Sequence, residues 1–150
     1  MRMTALIPLL DVNVLVALAW PNHIHHDRAH RWFADAQGQG WATCPLTQSG
    51  FVRVSSNKKA IPDAVAPQEA IALLQKIILL PHHQFWPDSY SIAGSDTVDR
   101  SKLFGYRQVT DAHLLGIALA NGGCLATFDR GIKAIVPSGN SVEAAVVIIS

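Results

Sequence analysis

Charge is scarce in this chain. Only 15% of its 150 residues are Asp, Glu, Lys or Arg, and twelve basic side chains against eleven acidic ones leave a net charge of +1. No basic or acidic tail is present, so bulk charge does not advertise non-specific nucleic-acid binding, although net charge says nothing about a local basic patch. Cysteine is limited to Cys44 and Cys124, each inside an apolar run and without a C-x-x-C partner. So few thiolates exclude structural zinc, and free buried thiols are expected. No stretch reaches the roughly 18 apolar residues of a membrane span. The most apolar later segment, Ile71 to Leu80, is interrupted by Gln75 and Lys76. Arg2 followed by apolar residues up to Trp20 superficially looks like a secretory signal. Pro8, Asp11 and Asn13 interrupt that run, and the segment is read as mature, folded and cytoplasmic. Repeats, linkers and low-complexity stretches are absent.

What remains is apolar. Hydrophobic residues make up 49% of the chain, which argues against disorder. A single domain over 1–150 is expected, and a chain of this length buries about 68–70% of its unfolded surface without staples.

Short continuous apolar runs alternate with longer periodic segments. Ala5 to Leu10, Trp41 to Leu46, Gln84 to Trp86, Cys124 to Phe128 and Ala144 to Ile149 read as strands. Ile24 to Gln37, Gln48 to Ser56 capped by Thr47, Pro67 to Leu80, and a segment capped by Thr110 and ended by Asn121-Gly122-Gly123 read as helices. Asn13 to Trp20 is a buried helix or more strand. Asn57 to Pro67 is a loop, Gly131 to Val136 a short helix or turn, and Asp88 to Gln108 carries no clear period. Strands without polar alternation, separated by helices, point to a parallel sheet covered on both faces, an α/β fold.

The scarce acids fall at telling places. Asp11 and Asp129 each follow an apolar strand, and Asp111 opens the helix after Thr110. In an open parallel sheet the crevice beyond the carboxyl ends of the strands is the usual place of chemistry. Any one of these aspartates could be a helix cap. Several carboxylates on one edge repel, and a divalent cation or protonation relieves that repulsion. Magnesium or manganese suits such oxygen donors. Asn13 would either cap the first helix or position Asp11 or a metal-bound water. His23, His25, His26 and His30 read as a polar helix start rather than a metal site, and Trp20, Trp32, Trp41 and Trp86 as core or interface. His113, beside Asp111, reads equally as surface or substrate contact.

Four segments together carry a resemblance: Leu9-Leu10-Asp11-Val12-Asn13-Val14-Leu15, Thr47-Gln48-Ser49-Gly50-Phe51-Val52-Arg53, Val109-Thr110-Asp111-Ala112-His113-Leu114-Leu115 and Ala126-Thr127-Phe128-Asp129-Arg130-Gly131. In this order and at these spacings they resemble the PIN-domain family, and within it the VapC-type toxin ribonucleases. The resemblance implies a three-layer α/β/α domain with a central parallel sheet. It implies hydrolysis of RNA phosphodiesters with Mg2+ or Mn2+, a small antitoxin partner and a homodimer. The family's first, third and fourth acids fall on Asp11, Asp111 and Asp129. Asp11 and Asp111 would hold the metal, and Asp129 would join them in catalysis. Asn13, Gln48, Thr110, Arg53 and Arg130 would support the metal or meet the substrate, with Arg107 and Lys133 as further backbone grips.

The family's second acid is a Glu, and here that place holds Gln48. A glutamine can orient water or ligate weakly but cannot act as a base. The resemblance therefore leaves two other readings beside the toxin ribonuclease: a catalytically weak RNA- or protein-binding module, and a structure-specific processing nuclease.

Overall fold

The computed structural model describes residues 6–150. Arg2 and the first residue of the strand expected from Ala5 lie outside the described residues. Five strands form one sheet: β1 (Pro8–Leu10), β2 (Trp41–Thr43), β3 (His83–Phe85), β4 (Cys124–Thr127) and β5 (Val146–Ile148). Their order is β3-β2-β1-β4-β5, and every pairing is parallel. Six helices connect and cover them: α1 (Val12–Ala19), α2 (His26–Ala36), α3 (Pro45–Ser55), α4 (Pro67–Ile78), α5 (Gln108–Ala120) and α6 (Val142–Ala145).

The apolar strand runs make sense because the sheet has two cores. Successive side chains of a strand point to opposite faces. Leu9 and Leu125 enter a core with Ala112, Leu114, Leu115 and Ile117 of α5. Leu10 and Ala126 enter a second core with Val14, Leu15 and Val16 of α1, Phe33 of α2, Phe51 of α3 and Leu74 of α4. The expected three-layer α/β/α arrangement follows. Cys44 and Cys124 are both free and buried. Among the described residues no helix is long and apolar enough to cross a membrane.

Several boundaries differ from the expectation, each for a local reason. β2 stops at Thr43 and α3 starts at Pro45, because a proline fits the first helical turn without needing its missing N–H. Thr47 is therefore not the N-cap. It is the third helical residue, and its hydroxyl reaches back to accept the Cys44 N–H at 2.9 Å. Thr110 is likewise not a cap. α5 begins at Gln108, whose side-chain oxygen accepts the N–H groups of Phe104 and Gly105 at 2.7 and 3.2 Å, and Thr110 sits exposed inside the first turn. Asn13 does not cap α1 either, since the Asp11 carboxylate does so. α2 starts only at His26, which leaves Ile24 87% exposed instead of on an apolar face. Ser141 caps a turn of helix over Val142–Ala145, so the last strand begins at Val146 rather than Ala144. Asn121-Gly122-Gly123 ends α5 as expected. Gly122 has φ 69°, and the Gly122 and Gly123 N–H groups donate to Leu119 and Ala118 carbonyls at 3.1 and 2.9 Å.

α1 and α3 pack closely because Gly50 has no side chain; a Cβ there would collide with the Val12 side chain. Gly50→Ala should therefore cost about 1–3 kcal/mol of stability, read as a lower midpoint in urea unfolding. An unchanged midpoint would mean that α1 and α3 can part freely.

Candidate acid site at the sheet edge

From β1 the chain moves outward to β2 and β3, then returns to place β4 on the other side of β1. The connections leave β1 and β4 in opposite directions, which makes their carboxyl ends the switch point where sites of open parallel sheets usually lie. Asp11 follows β1 and Asp129 lies just beyond β4. The Asp11 N–H donates to the Ala126 carbonyl at 3.1 Å, which locks the two strand ends together. Side-chain alternation turns Leu10 and Ala126 toward α1, so the residues after them, Asp11 and Thr127, face the α5 side.

Asp11 is only 8% exposed. Its Oδ1 accepts the Val14 N–H at 2.9 Å, which is the cap of α1. Burial drives its pKa up to about 6, against the opposing help of the Thr127 hydroxyl and the Val14 and Asn13 N–H groups; the charge of Asp111 pushes it up further. Asp111 stands in the first turn of α5 and is half-buried. Its pKa is also raised, by burial first and then by the charge of Asp129. Asp129 is exposed, caps the 3-10 turn at Arg130–Ile135, and accepts the Gly131 N–H at 2.8 Å. The three aspartates thus form one electrostatic chain, Asp11 to Asp111 to Asp129. Among the described residues no three His, Cys, Asp or Glu side chains close into a cage for a metal. The donor set nonetheless fits a hard divalent cation. It is all carboxylate oxygen, its repulsion is unrelieved, and magnesium keeps several waters rather than requiring an all-protein cage.

Gln48 occupies the fourth position of α3, as Asp111 does of α5. Its Nε2 donates to Thr43 Oγ1 at 3.0 Å, and that hydroxyl is 2.8 Å from His83 Nε2. Thr43 ends β2, the neighbour of β1, so Gln48 lies on the same sheet edge as Asp11 but is held by Thr43. Arg53, exposed on α3, lines a groove of ≈ 470 Å³ with Gln48, Val52 and Ile71 between α3 and α4. Arg130 and Lys133 line another of ≈ 420 Å³ beside β5. Asn13 and Thr110 are exposed.

Two residues at this edge escape a reading by motifs. Thr43 and Thr127 end β2 and β4, flank β1 and are fully buried. Their signal is faint: a lone hydroxyl closing an otherwise apolar run. Three histidines have partners within the fold. His26 Nδ1 and His30 Nε2 sit 2.7 and 2.8 Å from the Ala17 and Leu18 carbonyls at the end of α1. His113 pairs with Asp88 at 3.0 Å. Of the tryptophans, Trp41 and Trp86 are core and Trp20 and Trp32 are half-buried.

A family model described as "PIN domain" matches residues 9–136. Ribonuclease VapC39 of Mycobacterium tuberculosis is 44% identical over 131 residues, 87% of this chain and 94% of that protein. Ribonuclease VapC38 of the same organism is 49% identical over 124 residues, 83% of this chain and 86% of that protein. Ribonuclease VapC44 is 44% identical over 124 residues, 83% and 87% respectively.

Proposed function

We propose, from the premise that this chain belongs to the PIN-domain family, that it is an endoribonuclease of the VapC type, the toxin of a toxin–antitoxin pair. The observation that carries this reading is the buried Asp11 carboxyl, coupled to Asp111 and through it to Asp129 at the switch point of the sheet. Asp11 and Asp111 would hold Mg2+ or Mn2+. When bound, the cation lowers the pKa of a coordinated water and neutralises charge on the scissile phosphate. The Val14 N–H and the Thr127 hydroxyl keep Asp11 oriented and favour its charged form. Asp129 Oδ1 is bound to the Gly131 N–H, which leaves Oδ2 to orient the attacking water and accept its proton. Arg130 and Arg53, without carboxylate partners among the described residues, meet backbone phosphates on either side of the acids. Residues 1–150 act as one PIN-like domain in the cytoplasm. An antitoxin protein is the expected partner. A homodimer is supported by apolar surface at α4 and its end, where Ile71, Leu79 and Leu80 are exposed.

The test is cleavage of a labelled single-stranded RNA by the purified full chain. Cleavage should require Mg2+ or Mn2+ and stop when EDTA removes them. Cleavage that persists in EDTA would refute the reading. RNA binding without cleavage under either metal would favour the catalytically weak module that Gln48 suggests.

A further inference from the structure

The segment leading into α5, Arg100-Ser101-Lys102-Leu103-Phe104-Gly105-Tyr106-Arg107, packs three of the chain's twelve Lys and Arg into eight residues and interleaves them with two aromatics. Its backbone is well anchored. Asp99 Oδ1 accepts the Ser101 N–H and hydroxyl at 3.1 and 2.6 Å. Lys102 Nζ donates to the Val136 carbonyl at 2.6 Å, and Arg100 to the Ala93 carbonyl at 2.9 Å. Leu103 packs against the core on the α5 side. Gln108 then gathers the Phe104 and Gly105 N–H groups. On this fixed backbone Phe104 is 90% exposed and Tyr106 82%. Outward rings on a tied-down loop are a built presentation, not the chance exposure of a loose end. The Arg107 guanidinium lies 5.8 Å from the centre of the Tyr106 ring, and its Nε donates to the Tyr106 hydroxyl at 3.4 Å.

The position matters as much as the composition. Arg107 immediately precedes α5, and Asp111 lies four residues along it, about 6 Å of helix axis. The segment therefore runs directly into the helical turn that carries Asp111.

We propose that Phe104 and Tyr106, assisted by Arg107, form a stacking platform that holds bases of the RNA strand next to the helix turn of Asp111; this rests on the ribonuclease reading and assigns it substrate-positioning residues. Every base offers a π-face, so aromatic platforms beside cations hold single strands with little regard to sequence. Arg107 adds attraction to phosphate and to the ring it covers. Asp96 and Asp99 precede the segment, and Asp99 is turned toward Ser101, so the cation beside the rings is Arg107. A paired A-form helix keeps its bases stacked on each other and cannot use such rings. The aliphatic patch of Ile71, Leu79 and Leu80 lacks this pairing of rings with cations, and is the better surface for a protein.

The experiment is fluorescence anisotropy of the full chain in EDTA, where metal-dependent cleavage is stopped. Three labelled probes of about twelve nucleotides are compared: a mixed-sequence single strand, its duplex, and an abasic ribose-phosphate chain. The single strand should bind at least about tenfold more tightly than the other two. Phe104→Ala and Tyr106→Ala should each weaken single-strand binding by about tenfold, leaving abasic binding and thermal unfolding unchanged. Phe104→Trp and Tyr106→Phe should restore it. Arg107→Ala should lower the salt dependence by about one phosphate contact. The proposal is overturned if the wild type does not prefer the single strand, if the double alanine variant binds it normally, or if the loss is equal on the abasic probe. A changed sedimentation rate in the double variant with RNA binding intact would assign the patch to a second protein and overturn it too. Cleavage with metal is scored separately. An active enzyme indifferent to both rings sinks the platform alone, and a preference for single strands without any cleavage sinks the ribonuclease reading alone.

Discussion

Asp11→Asn should silence RNA cleavage and, in the metal-free protein at pH 7.5, raise the melting temperature. The loss of activity follows from removing a charge that would hold the cation. Losing even a supporting partner of a metal ligand costs 10–100-fold, so a direct donor should cost at least about a hundredfold. The gain in stability follows from the pKa of about 6, raised from 3.8 mainly by burial. Between those two values the folded chain binds more protons than the unfolded one, so stability falls as pH rises through the window. Above pH 6 the whole cost of the buried charge is present, about 3 kcal/mol. Asn removes that charge and still offers an oxygen to the Val14 N–H, so the cap survives. A rise of roughly 5–10 °C is expected for a domain of this size. The difference should shrink as pH is lowered and vanish below about pH 4, where Asp11 is protonated in both states. Added Mg2+ should stabilise the wild type and not the variant. A lower melting temperature for Asp11→Asn at pH 7.5 in EDTA would show that the carboxylate is a structural cap and not a stored charge.

Gln48→Glu should tighten metal binding by on the order of tenfold and raise cleavage or leave it unharmed. A unit negative charge within about 6 Å of a divalent ion would gain at least about 1.4 kcal/mol even at the dielectric of water, a tenfold change in affinity. The swap is nearly isosteric, but it reverses one hydrogen bond. Gln48 now donates to Thr43; a carboxylate must accept from it. The Thr43 hydroxyl then turns to Glu, and His83 Nε2 must donate to Thr43 rather than accept. His83 has its pKa lowered by burial, and the new anion should bring it back up, visible in the NMR titration of its ring protons. Asp111→Asn should weaken metal binding, and in the double variant the two effects should not add, since both act on one ion. Calorimetry on the four proteins decides it. If Gln48→Glu changes neither affinity nor the His83 titration, residue 48 stands outside the site.

The sequence was most readable where a continuous apolar run ends in a carboxylate. Leu9-Leu10-Asp11 and Ala126-Thr127-Phe128-Asp129 announce buried parallel strands and the edge at which they stop. Helix starts were harder, because a threonine near the first turn looks the same whether it caps forward or reaches back, as Thr47 does to Cys44. The stretch from Asp88 to Gln108 has no period to read. Its order comes from single side chains bonding to distant backbone, such as Tyr90 Oη accepting the Val98 N–H at 3.1 Å. It also relies on Gly116 of α5, where a Cβ would collide with the Tyr90 ring. The platform residues Phe104 and Tyr106 lie inside that stretch, and their exposure is a property of the loop's anchoring that no local pattern encodes.

Val12 directly follows Asp11, and Gly50 lies two residues beyond Gln48. The close fit of a bare Cα against the valine methyls therefore acts as a spacer gauge between a carboxylate on one helix and an amide on another. Asp11 and Gln48 bond to different partners, Val14 and Thr43, and the interval between their helices leaves room for the valine alone. A methyl added at position 50 would wedge open α1 and α3 and widen that interval. Position 50, far from any proton or phosphate, would then govern how well residue 48 can share an ion with Asp11.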